Sequence, residues 1–111
     1  MSNAEDAITK DAVTVPISVA SAQTTTILAV GAGRRWHLMG LYIRAAGEET
    51  VIFQSEGNAL SGAVELEDKE VMHLPMGKVP HMSGLATGED FKITTGLGVA
   101  IDGWATITEE K

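Results

Sequence analysis

From Ala12 to Ile107 apolar and polar side chains alternate in short runs, and glycine-bearing turns separate the runs. Period-two alternation is the signature of half-buried β-strands. Between Ala12 and Val19, Val13, Val15, Ile17 and Val19 share one face, with Thr14 and Ser18 on the other. Pro16 lacks an amide donor, which predicts an edge position for this strand. Thr24 to Val30 is β-branched and apolar, a second strand. Gly31-Ala32-Gly33 predicts a tight hairpin turn. Trp36 to Arg44 is the most hydrophobic run. Ala45-Ala46-Gly47 turns the chain again, Thr50 to Ser55 forms the next strand, and Glu56-Gly57-Asn58 marks another turn.

Beyond that turn the pattern shortens. Val64–Leu66 and Val71–Leu74 predict brief strands, and Glu65, Glu67, Asp68 and Glu70 form a solvated acidic loop around Lys69. Pro75, Gly77, Pro80 and Gly84 define a loop over residues 75–84. Phe91 to Thr95 alternates with Phe91 and Ile93 inward, and Val99 to Ile107 closes the series. Glu109, Glu110 and Lys111 form an exposed end. The one stretch with room for a helix, Leu60 to Asp68, is disfavoured by Gly62 and Val64. Residues 1–11 are small, polar and acidic, which predicts a flexible N-terminal arm ahead of a domain over residues 12–111. About eight short strands in one all-β chain predict a single two-sheet antiparallel sandwich. With no cysteine to supply the immunoglobulin-type pair around a tryptophan, the expectation is a jelly roll.

The Trp36–Arg44 run carries more apolar surface than one sheet face needs. Strict alternation puts His37, Met39, Leu41 and Ile43 on a core-facing side. Trp36, Leu38, Gly40, Tyr42 and Arg44 then fall on the opposite side, and both sides cannot be wet. Near the C-terminus Val99, Ile101, Ala105 and Ile107 share a face, with Trp104 opposite. Tryptophan and tyrosine on outward faces are favoured anchors of protein–protein contacts. The 75–84 loop adds Met76, Val79 and Met82, adaptable side chains suited to a partner surface. The candidate interface is therefore Trp36, Leu38, Tyr42, Trp104, Met76, Val79 and Met82.

Charge narrows the partners. Eight Lys+Arg against 15 Asp+Glu give a formal net charge of −7 and a pI of about 4.8. That balance disfavours nucleic acid and anionic membrane, and the Arg34–Arg35 pair reads as two solvated turn residues. No run of residues approaches the ~20 apolar positions of a membrane helix, and the first eleven residues have no apolar signal core. The expected site of synthesis is a cytoplasm. Zero cysteines exclude disulfides, thiolate metal sites and a cysteine nucleophile. His37, His73 and His81 have no metal-binding spacing, so no metal or cofactor is expected. There is no G-x-S-x-G elbow. Gly31-Ala32-Gly33 leads into a strand, which denies a phosphate the helix N-terminus it would need. The expectation is a non-enzymatic protein.

Taken in order, the small-residue turn into RRWHLMGLYIRAAGEETVIFQS, then NALSGAVEL, HLP, GEDFKI and GVAIDGWATI resembles small all-β proteins of tailed-bacteriophage structural gene clusters. Several of these are jelly-roll capsid decoration, or cement, proteins. The resemblance spans roughly Thr24 to Thr108. It implies a virion protein made in the host cytoplasm. It further implies a homo-oligomer, a trimer, that sits on the outer capsid, binds the major capsid protein and stabilises the head lattice. The competing reading of the same pattern is a tail-associated or carbohydrate-recognition β-sandwich.

Overall fold

Ten antiparallel strands and no helix make up residues 12–110, the part of the chain that the computed structural model describes. They are β1 (Val13–Val19), β2 (Thr24–Leu28), β3 (Arg35–Ala45), β4 (Glu49–Ser55) and β5 (Asn58–Ala59), then β6 (Val64–Leu66), β7 (Val71–Leu74), β8 (Met82–Ser83), β9 (Phe91–Thr95) and β10 (Ile101–Glu110). The arm expected over residues 1–11 lies outside the described residues.

The strands divide into two sheets. The first runs β1-β10-β3-β7, with β8 also paired to β3; the second runs β2-β9-β4-β5, with β6 also paired to β4. Because β5 and β6 line one edge of β4, and β7 and β8 one edge of β3, the ten segments act as eight strands. First then pairs with last, second with seventh, third with sixth and fourth with fifth. That nested antiparallel pairing is the jelly-roll arrangement. Pro16 does lie on an edge strand, β1. The Gly31–Gly33 turn is not a hairpin, because β2 and β3 belong to different sheets and the turn crosses the end of the sandwich. Arg34 N donates to Gly31 O at 3.1 Å, and Gly33 takes a φ of 81° that its lack of a Cβ permits.

The core is the space between the sheets. Ile17, Val19, Leu41, Ile43, Ile101 and Ala105 fill it from the first sheet, and Val51, Phe53, Phe91 and Ile93 from the second. The inward face of β4 reads Glu49, Val51, Phe53, Ser55, apolar in the middle and polar at both ends. Ser55 Oγ donates to Glu89 Oε1 at 2.6 Å and accepts from Leu85 N at 3.0 Å, tying the 85–89 loop to the sheet.

The face assignment in β3 is corrected by a bulge. Thr106 pairs with Gly40 and Ile107 with Leu38, so Met39 has no partner on β10. One extra residue reverses the parity of everything before it. Trp36 and Leu38 therefore point into the core together with Leu41, Ile43 and Ala45, and both are 0% exposed. Neither presents its side chain on the outer face, where strict alternation would place both. His37 and Met39 lie on the outer side, buried by the polypeptide around β8: Gly77 N donates to Met39 O at 3.3 Å and His81 N to Leu38 O at 2.8 Å. The C-terminal strand also runs further than the pattern predicts. Glu109 and Glu110 are half-buried members of β10 rather than a free end.

Gly103 sets the approach of β10 to β3. A Cβ there would lie 2.8 Å from the Tyr42 carbonyl carbon and 2.9 Å from Ile43 Cα, with the Tyr42 carbonyl oxygen closer still. Backbone cannot yield as a side-chain tip can. Gly103→Ala is expected to cost about 3 kcal/mol, the upper range for overpacking. Urea denaturation measures this directly, and a loss under about 1 kcal/mol would mean that the strands separate without strain.

Candidate functional site

The outer face of the first sheet holds the features that a partner could use. Side chains two apart on a strand share a face, and antiparallel register lines them up across strands. Pro16, Trp104, Tyr42 and His73 stand opposite one another on β1, β10, β3 and β7, one row across the whole sheet. The Tyr42 and Trp104 rings stack with centroids 4.5 Å apart and planes 14° from parallel, and Tyr42 meets His73 edge-on at 6.2 Å. Trp104 is nonetheless 48% exposed. A large ring held by a neighbour but left half in water is the side chain most able to anchor a contact at low entropic cost.

One step along the strands lies a charged row. Ser18, Asp102, Arg44 and Val71 are in register, and all four are exposed. Arg44, Ala46, Lys69 and Asp102 line an open cleft of about 310 Å³ beside the rings. Lys69 is held there by a turn in which its own φ is 62°, closed by Glu70 N donating to Glu67 O at 3.0 Å and Glu67 N donating to Glu70 Oε1 at 2.8 Å. Non-glycine residues in this left-handed region are uncommon.

Of the seven residues singled out from the sequence, this face gathers Tyr42, Trp104 and Met76. Met76 is 53% exposed, and its backbone lies 3.4 Å from where a Gly40 Cβ would stand, next along the strand from Tyr42. Val79, 72% exposed, projects from the same loop. Met82 is half-buried and packs on the core, and Trp36 and Leu38 lie inside it. The structure adds Pro16, His73, Arg44 and Asp102, which cross-strand register alone could bring together.

The three histidines do not meet. His73 lies beside Tyr42, and His81 Nε2 contacts Pro75 O at 2.8 Å. His37 Nδ1 meets Ser83 Oγ at 2.7 Å and its Nε2 meets Glu110 Oε1 at 3.2 Å. Among the described residues no group of three or more His, Asp or Glu side chains is placed to hold a metal ion. Serine, histidine and a carboxylate in a row have the composition of an acyl-transfer triad. Here the histidine is buried, and the amides that follow Ser83 are engaged: Gly84 N donates to Trp36 O at 2.9 Å and Leu85 N to Ser55 Oγ. The trio fastens β8 and the end of β10 onto β3. Sequence separations of 46 and 73 residues hid it.

A buried carboxylate, Glu49, went unsignalled for the same reason. Glu49 is 0% exposed. Its Oε1 accepts from Thr50 N at 2.8 Å, Gly96 N at 3.0 Å and Leu97 N at 2.6 Å, and its Oε2 accepts from Val99 N at 2.8 Å. Burial pushes its pKa up, but the four amide donors together outweigh burial and hold the carboxyl below its ordinary value of 4.5. The group fixes the loop from Gly96 to Val99 at the end of the sandwich nearest the charged row.

Fold and site together define an antiparallel jelly-roll sandwich with an exposed aromatic row and a mixed-charge cleft on one sheet. Comparison with protein-family models, with curated proteins and with solved structures returns no match to this chain.

Proposed function

We propose that the chain is a non-catalytic virion structural protein that acts by docking. In this reading it is a homo-oligomer, a trimer by its resemblance to phage decoration proteins, on the outer surface of a tailed-phage capsid. It binds the major capsid protein and stabilises the head lattice. The observation that carries the reading is Trp104, 48% exposed and stacked on Tyr42 at the middle of an otherwise ordered sheet face. The row buries against neighbouring copies, while exposed Met76 and Val79 on the adjoining loop are available to the capsid. Repetition over a lattice multiplies weak contacts by avidity, so each contact can be modest. The net charge of −7 supports a protein partner over nucleic acid or anionic membrane.

The test uses light scattering on the purified protein and co-sedimentation with capsids assembled from a tailed-phage major capsid protein. A mass near three times 11.7 kDa and saturable co-sedimentation are expected. Trp104→Ala is expected to weaken self-association about tenfold or more, the loss typical of an interface anchor, while changing fold stability by less than about 1 kcal/mol. A wild-type chain that neither associates nor sediments with capsids rejects the proposal.

The cleft beside Trp104 favours one alternative, a carbohydrate-recognition or tail-associated module, because sugars bind where a ring adjoins polar groups. Tyr42 already covers one face of the Trp104 ring, which leaves a single face for a sugar. Calorimetric titration with host-surface glycans separates the two readings.

A further inference from the structure

We infer that the outer face of the first sheet binds a second copy of this chain, with Arg44 of one copy paired to Asp102 of the other. The inference rests on the homo-oligomer reading above and names the contact that would hold it.

Arg44 and Asp102 are direct cross-strand partners on the exposed face, each two residues from a member of the stacked pair. Opposite charges in such register commonly pair within a sheet. Here no ion pair joins them, and among the described residues neither has an ion-pair partner; the contacts found are Arg34–Glu109, His37–Glu110 and Lys92–Glu56. Both instead line the open cleft with Lys69. Among the described residues the face therefore carries Arg44 and Lys69 as positive groups and Asp102 as a negative group, none of them in an ion pair, beside a half-exposed aromatic anchor.

The surroundings decide what such a face fits. A free anion would be drawn by Arg44 and Lys69 but repelled by Asp102 and by the acidic residues that flank Lys69 in its turn. Opposite charges side by side, one step along the strands from a shared aromatic pair, let the Arg44 of one copy meet the Asp102 of another in a reciprocal contact. Copies meeting about a symmetry axis in this way bring their Trp104–Tyr42 pairs together and set each Arg44 against a neighbour's Asp102. The arrangement closes about a two-fold or a three-fold axis.

Charge exchange tests the pairing without touching the core. Arg44→Glu alone and Asp102→Lys alone each place like charges across the contact, and each is expected to weaken self-association about a hundredfold, the scale of a like-charge juxtaposition. The double variant R44E/D102K restores opposite charges and is expected to recover association to within about tenfold of wild type. Sedimentation equilibrium reads all four proteins, and thermal melting confirms that each is folded. Mixing the two single variants reads the symmetry, since a two-fold contact is fully complementary in the mixed dimer whereas an odd ring retains one mismatch. Single exchanges that leave the mass unchanged overturn the inference, and so does a double variant that stays dissociated. A wild-type monomer at all concentrations overturns it as well, while capsid co-sedimentation, measured separately, still tests the decoration reading.

Discussion

Replacing Glu49 with alanine is expected to destabilise the protein by about 4 kcal/mol, since hydrogen bonds to a charged group contribute about 1.5–3 kcal/mol each and exposed loop amides recover part of the loss by hydration. The carboxylate is fully buried and accepts from four backbone amides. Its removal leaves those donors unpaired and frees the Gly96–Val99 segment that leads into β10. Glu49→Gln should fall between the two. A carboxamide oxygen can keep the donors at one position, but its NH2 group would then face the Val99 amide, donor against donor. The acid dependence follows from the sign of the shift. The folded pKa lies below the ordinary 4.5, so the stabilisation is complete above about pH 4.5 and is lost as pH falls through the folded value. Glu56 is also lowered, through the Asp90 amide first and Lys92 second, so Glu49→Gln should flatten the acid limb without abolishing it. Urea denaturation of both proteins at neutral pH and below about pH 4.5 measures this. Equal slopes in wild type and Glu49→Gln would mean that the clamp contributes nothing to acid sensitivity.

Trp36→Ala is expected to cost about 3–5 kcal/mol, the range for emptying a large buried aromatic site. The Trp36 ring is 0% exposed, lies 4.6 Å from Phe91 by centroid and is capped by Gly84, where a Cβ would come within 2.9 Å of Nε1. Among the described residues the indole N–H has no hydrogen-bond partner. Trp36→Phe forfeits no hydrogen bond and should cost markedly less than the alanine change. The comparison with Trp104→Ala is the informative one. Two tryptophans similar in sequence context should separate cleanly, one acting on stability and the other on association. A Trp36→Ala protein that melts like wild type but no longer associates would reverse the assignment drawn from the bulge.

Much of the fold was legible in the chain because β-strands write themselves in period two. Pro16 marked an edge, and the alternation in β9 placed Phe91 and Ile93 in the core directly. The bulge at Met39 was less legible, although a glycine inside a strand, Gly40, is the usual sign of a bulge or a close backbone approach. Missing it shifted Trp36 and Leu38 to the wrong side and inflated the predicted interface. The short strands β5 and β8 are two residues each, too brief for any periodic signal.

The positions of the longer strands, the absence of cysteine chemistry and the acidic balance were determined by the sequence alone, because each depends on local composition or on alternation within one strand. Which of those side chains meet was decided only by the tertiary structure. Pro16, Trp104, Tyr42 and His73 form one row, Glu49 finds the amides of residues 96–99, and Arg44 faces Asp102, all through pairings between strands far apart in the chain. Register between distant strands is set by the packing of the whole sandwich, and one unpaired residue in β3 was enough to turn a supposed surface tryptophan into a fully buried member of the core.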